Sequence, residues 1–451
     1  MWGESIVIDI YDLLLTPIYI GVILMIAFNY KNNKQYFQKL DYYKYFMPAL
    51  ICKLIGAIGI CLIYSFYYTG GDVISYYLTA KTFVNVLYSG RIGLFIEMFN
   101  FYNINIHDLP IDEYTFGGIY FSDSDTYALF TSAITIPFCI LGCNCFVPTT
   151  IVLSSLSFIG LWKMYEAFVF LFSHLKKQFA IAIFFMPSVF FWGSGILKDT
   201  YTLSCVGFFI YGVFNYYILK NKKIKYLLLL LIAGLLILLI KPYIILALIP
   251  GTSIWINFVR FERIKNRLLR KLVIPLIIVS FFSILFIFYG ILEKYLNEYT
   301  LDNILNKAVK TQQDLIRNQY GSNSYDIGQF EPTLSGIFSK IPAALNMALF
   351  RPFIWDAKNP VMLLSGLENS FMLLFSIYII VKVKTITILK SLTSNPLLIF
   401  SFLFAIIFAF SVGLTTSNYG ALVRLKIPSI PFYLISLFIL FDLNKVRFNR
   451  K

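Results

Sequence analysis

A few polar residues stand out between long apolar runs, and their types suit chemistry on a phosphate-linked substrate. Asp72 closes the stretch Gly70-Gly71-Asp72 and precedes Val73-Ile74-Ser75-Tyr76-Tyr77 and Ala80. Two glycines let the chain turn sharply out of the preceding apolar run. A carboxylate left at that surface can act as general base toward a hydroxyl; equally, it can cap the helix that follows. Farther along, Pro187…Trp192-Gly193-Ser194-Gly195 leads into Lys198-Asp199-Thr200, an adjacent base and acid. That pattern suits a short external turn beside an aromatic belt, with helix capping as the plainer reading. Lys241 ends the apolar run Gly234–Ile240. An intramembrane lysine is costly enough to suggest function, or it can snorkel to the surface. Arg424 precedes Pro428 and Pro431. A lysine and an arginine together suit a phosphate or pyrophosphate, arginine as a bidentate fork and lysine as a point charge. Either can also simply contact lipid headgroups.

Two further groups are less specific. Asp123-Ser124-Asp125 has a carboxylate spacing that can hold a divalent cation, though an acid there also caps a helix. Phe350-Arg351-Pro352-Phe353-Ile354-Trp355-Asp356, with Glu368 beyond it, puts a cation beside aromatics. Aromatic rings beside charged groups suit a sugar, and tryptophan also anchors helices at the membrane surface.

The elements that position these residues follow from composition. Hydrophobic residues make up 59% of the 451 residues and charged ones 14%, the balance of a polytopic membrane protein. The expected fold is all-α: a single membrane domain over 1–451 with about 11–12 transmembrane helices of ~20 residues. Candidate spans lie near 13–29, 47–67, 126–142, 148–172, 178–193, 202–219, 226–240, 243–258, 272–291, 361–381, 395–413 and 427–442. Asp9 and Asp12, with no basic region before the first run, point to a retained first helix rather than a cleaved signal peptide. The six cysteines lie in or beside apolar runs, and His107 and His174 are far apart, which argues against a histidine-ligated metal.

The net charge of +15 does not point to nucleic acid, because the bases sit in short clusters suited to anionic lipid headgroups. Lys220–Lys225, Arg260–Lys271 and Lys445–Lys451 alone hold 14 of the 38. With residues 30–46, Lys176-Lys177 and Lys382–Lys390 the total reaches 23, against two acids within them (Asp41 and Glu262) and Asp442 just before the last. Basic segments stay cytoplasmic, so loops 68–125 and 292–360 are expected on the opposite face. Counting spans forward and backward disagrees about 68–125. The short, Pro137-broken 126–142 is the segment expected not to cross fully, with 73–98 lying along the interface as amphipathic helix. Loop 292–360 is the most polar stretch, with an exposed helix expected over 298–319 and a loop over 321–328.

These stretches together resemble the GT-C superfamily of integral-membrane glycosyltransferases, nearest the branch of protein O-mannosyltransferases and aminoarabinose transferases. Gly71-Asp72…Tyr76-Tyr77…Ala80 is similar to that family's acidic first-loop motif, except that a lone aspartate replaces the usual acidic pair and an extra span precedes it. Pro187…Asp199, Gly234…Lys241 and Arg424…Pro428…Pro431 resemble its later elements in order. The resemblance implies a sugar transferred from a polyprenyl-(pyro)phosphate donor to a hydroxyl on a glycan, lipid or protein acceptor, at an outward-facing site in a bacterial inner membrane. It implies that Asp72 is the base, that Lys241 and Arg424 stabilise the departing phosphate, and that Lys198 and Asp199 orient a substrate, with Tyr76, Tyr77 and Arg351 close by. No nucleotide-binding glycine-rich loop is present, in agreement with a lipid-linked donor. A Wzy-like surface-polysaccharide polymerase or ligase, leaning more on Arg351 and Arg424, is the nearest rival. A lipid-linked oligosaccharide flippase or other transporter is the alternative from a different class.

Overall fold

The computed structural model describes residues 7–100, 105–112, 117–121, 125–262, 325, 328, 334–392 and 394–448. The expected span 272–291, the helix at 298–319 and most of loop 292–360 lie outside these residues, as does Asp123. What is described is all-α, and five helices are long and apolar enough to cross a membrane. They are Ile10–Phe37, Asp41–Tyr67, Phe146–Leu171, Pro360–Lys382 and Pro396–Thr415. A helix pair bent by 63°, Tyr419–Leu425 with Ser429–Leu443, forms a sixth if it is one broken span. The remaining apolar helices are shorter, between 10 and 17 residues. The chain is therefore a multi-pass integral membrane protein. Its contacts divide it into two compact units: residues 1–185 with 189–242, and 186–188 with 243–451.

In the first unit α1 (Ile10–Asn32) begins with Asp9 and Asp12 in a reciprocal capping box, the two carboxylates each accepting the other's backbone N–H. Asp12 also accepts the Val147 N–H at 2.7 Å and so caps α6 (Phe146–Leu171) from another helix. Helix α2 (Phe46–Leu62) runs antiparallel to α6. Lys176, just past α6, pairs with Asp41, just before α2. Phe46 meets Phe158 and Trp162, and Ser154 reaches the Lys53 carbonyl. Helix α8 (Lys198–Val213) runs parallel to α6, so tightly that a Cβ on Gly207 would lie 2.1 Å from the Gly160 carbonyl oxygen. Helix α9 (Ile224–Ile240) returns antiparallel to α8, from Tyr226 against Tyr211 to Lys241 against Asp199.

This ladder sorts the charges. Lys31, Lys34, Lys44, Lys176 and Lys222 lie at one end, where several ammonium groups rest on tyrosine rings. Asp72, Asp125, Lys198, Asp199 and Lys241 lie at the other. The first loop supplies α3 (Asp72–Tyr88) and α4 (Ile92–Glu97). Helix α3 packs on α5 (Thr126–Leu141), and the Tyr77 phenol donates to the Asn144 carbonyl at 2.6 Å. Helix α5 lies across the start of α8 rather than alongside it. Asp125 at its N-terminus meets Lys198, while Thr135 and Phe138 in its second half both meet Tyr201. The segment expected not to cross fully, 126–142, is one continuous 16-residue helix that contains Pro137.

Between α7 (Pro187–Trp192) and α8 the expected turn is covered by protein rather than open to solvent. Ser194, Ile196 and Leu197 are at most 1% exposed, and Trp192 is buried instead of anchoring at a lipid surface. Irregular backbone here is covered by protein, the condition under which it is tolerated at membrane depth.

The second unit contains α10 (Pro242–Glu262), α11 (Ile341–Phe350), α12 (Pro360–Lys382), α13 (Pro396–Thr415), α14 (Tyr419–Leu425) and α15 (Ser429–Phe448). Asn359 and Asn395 cap α12 and α13 with their side chains. Aromatic pairs such as Trp255 stacked on Phe400 and Phe404 edge-on to Phe432 fill the interior.

Candidate functional site

Asp72 is the first residue of α3, behind Gly71 at φ 102°. That left-handed angle favours glycine and lets the chain reverse after α2. The N-cap is Gly71, so Asp72 sits in the first turn, where its charge also favours the helix dipole. Facing it is Lys198, at the start of α8. The Lys198 ammonium lies 3.4 Å from Asp125, 6.0 Å from the Tyr76 ring centre, and within electrostatic reach of Lys241 and Asp72. Burial pushes the Lys198 amine below the ordinary lysine range, opposed by the Asp125 carboxylate. Tyr76 in turn stacks on Phe121 at 4.7 Å.

Beside this group Lys241 and Asp199 form a buried ion pair at 2.5 Å, with side chains 7% and 1% exposed. Lys241 therefore does not snorkel to a surface. Five expected residues, Asp72, Tyr76, Lys198, Asp199 and Lys241, are thus brought together by α3, α8 and α9, and Asp125 joins them from α5. Asp125 also accepts the Ala128 N–H and caps α5. Tyr77 faces the Asn144 carbonyl instead, 1% exposed. Among the described residues no three His, Cys, Asp or Glu side chains gather as a metal-binding group. Asp123, the partner expected for Asp125 around a divalent cation, lies outside those residues.

The second unit holds its own polar cluster. Arg351 donates to the Tyr419 phenol at 2.7 Å, lies 3.8 Å from Asp356, and rests over the Phe353 ring. Its carbonyl accepts from Lys426, which is fully buried and also donates to Asn369 at 2.6 Å. Arg424 lies in the last turn of α14, the helix that Tyr419 begins. Trp355 is 76% exposed, as an interfacial anchor would be. Glu368, nine residues into α12, accepts the Ser188 N–H at 2.7 Å.

Three of these residues escaped sequence reasoning. Lys53 is buried in mid-α2, Lys426 sits in the bend between α14 and α15, and Asn369 lies inside α12. The available signal was a lone lysine within the apolar run 47–67 and a second base two residues past Arg424. No protein-family profile, curated protein or solved structure matches the chain.

Proposed function

We propose that this chain is a membrane glycosyltransferase that moves a sugar from a polyprenyl-(pyro)phosphate to a hydroxyl acceptor on the non-cytoplasmic face of a bacterial inner membrane, during cell-surface glycan or glycolipid assembly. The observation that carries the reading is the group Asp72, Asp125, Lys198, Asp199 and Lys241, gathered at one end of the first unit opposite its lysine-rich end. Basic ends stay cytoplasmic, so the mixed acid–base end faces outward, where lipid-linked sugars are used.

In this reading Asp72 takes the acceptor's proton as the hydroxyl oxygen bonds to the anomeric carbon. The sugar–phosphate bond breaks and the electron pair leaves on the lipid phosphate. Lys198, partly exposed and flanked by Tyr76, meets the charge developing there. Lys241 neutralises Asp199, keeping α8 and α9 in register behind the site. The resemblance to the GT-C superfamily in the stretches around Asp72, Asp199, Lys241 and Arg424 supports the same chemistry.

The test is release of polyprenyl phosphate from polyprenyl-phosphate-linked sugars by the purified protein in nanodiscs, supplied with membrane-extract acceptors. Asp72→Asn should lower turnover by about 10²–10⁴-fold while Tyr77→Phe leaves it nearly unchanged. Undiminished turnover in Asp72→Asn overturns the base assignment. Loss in Arg351→Ala or Arg424→Ala with Asp72→Asn active favours the polymerase reading.

Glu368 and Lys426 favour a second reading, transport of a lipid-linked or other charged substrate. Both are buried, each lies within electrostatic reach of the other, and one Glu368 oxygen meets no donor among the described residues. Ionisable residues inside membrane helices mark substrate or ion pathways. Reconstituted liposomes separate the two: sugar transfer without net lipid movement supports the enzyme, and movement without transfer supports the transporter.

A further inference from the structure

The backbone between α7 and α8 must place its polar groups without water. The Phe191 carbonyl accepts from the Ser194 N–H, the Gly195 carbonyl from Leu197 N–H and the Thr200 hydroxyl, and the Leu197 carbonyl from Thr200 N–H. The Gly193 carbonyl is satisfied differently: the Lys53 ammonium reaches it from α2. Lys53 is 3% exposed and lies in mid-span of Asp41–Tyr67, where a lysine is costly. The same face of α2 approaches the segment closely. A Cβ on Gly56 would lie 2.3 Å from the Phe190 carbonyl oxygen, and one on Gly195 2.7 Å from Ile60.

We propose that Lys53 is a positioning residue: by holding the Gly193 carbonyl it fixes residues 193–197 and thereby sets where Lys198 and Asp199 stand against Asp125, Lys241 and Asp72. Its catalytic meaning rests on the transferase reading above. Its mechanical role does not. A costly buried amine is retained where its hydrogen bond fixes backbone that helix hydrogen bonding leaves open, and the two residues that leave this segment carry the site.

The test follows acetylation of Lys198 against pH by mass spectrometry in nanodiscs, with Lys222 at the opposite end as control. Lys53→Met should move the Lys198 midpoint by about half a pH unit or more, because its charged neighbours change distance. Lys222 should stay put, and Lys53→Arg, which keeps a donor, should restore the wild-type profile. An unchanged Lys198 profile in Lys53→Met, or equal shifts in Lys53→Met and Lys53→Arg, overturns the proposal. If Lys53→Met does not fold, Lys53→Leu, which also lacks a donor, replaces it, with the same expected shift and the same overturning results. In the unaltered protein, amides 194–197 should exchange as slowly as those of α2; rapid exchange there also overturns it. None of these readouts needs a sugar donor. A shifted Lys198 with unaltered turnover would leave Lys53 as positioning residue and count against the transferase reading instead.

Discussion

Lys241 and Asp199 meet at 2.5 Å inside the first unit, with side chains 7% and 1% exposed. One ends α9 and the other opens α8, so the pair ties two antiparallel helices at the end where Asp72 and Lys198 stand. In an interior of low polarity each charge needs the other, since an unpaired one would keep most of its desolvation cost.

Removing one partner of that pair should be far worse than removing both. Lys241→Met or Asp199→Leu alone is expected to cost about 3–5 kcal/mol, and the double variant to regain much of it. Thermal unfolding of the three variants in one detergent checks this; additive losses would mean the pair is not coupled.

Asp12 should matter to a helix more than a hundred residues away. Asp12→Ala removes the acceptor for the Val147 N–H and one arm of the α1 capping box. The expected cost is about 1–2 kcal/mol, with faster amide exchange in the first turn of α6. Exchange confined to α1 would contradict the cross-helix cap.

The α6–α8 contact leaves no room for a methyl group. Gly207→Ala would place Cβ 2.1 Å from the Gly160 carbonyl oxygen, and the helices must separate at a cost of about 1–3 kcal/mol. Gly21→Ala, where nothing lies within 4 Å, should be silent. Unfolding midpoints for both variants make the comparison.

Lys198 should give stability a pH dependence of defined sign. Burial lowers its folded value below the ordinary 10.5. Its contribution is therefore full above the unfolded value and is lost as pH falls through the folded one, because the native state must then take up a proton against desolvation. Between that folded value and 10.5 stability should rise with pH, and Lys198→Met should flatten the rise. A steeper slope in the variant would show that Asp125 outweighs burial.

Lys426 should be the most sensitive base of the second unit. Lys426→Met leaves the Arg351 carbonyl and the Asn369 side chain without its two hydrogen bonds, at about 1–3 kcal/mol for each buried group stranded. Arg351→Lys, which keeps the carbonyl in place, should be much milder. Similar losses in both would shift the burden to the guanidinium and its Tyr419 partner.

Composition and charge order were enough to determine the all-α membrane architecture, because a bilayer admits few solutions for so apolar a chain. The placement of 23 of 38 bases in short clusters also anticipated two-ended charge sorting, visible in the first unit. Local spacing marked Asp72, Lys198, Asp199 and Lys241, since charges beside apolar runs are conspicuous. What spacing could not supply was partnership. That Lys241 pairs with Asp199 while Tyr77 turns to Asn144 depends on which helix faces lie together, and nearly uniform apolar sequence carries little periodicity to reveal this. The buried course of residues 193–197, the crosswise lie of α5, and the reach of Lys53 to Gly193 arise in the same way. Each is settled by long-range packing that satisfies backbone groups out of water's reach, so only the tertiary structure decides them.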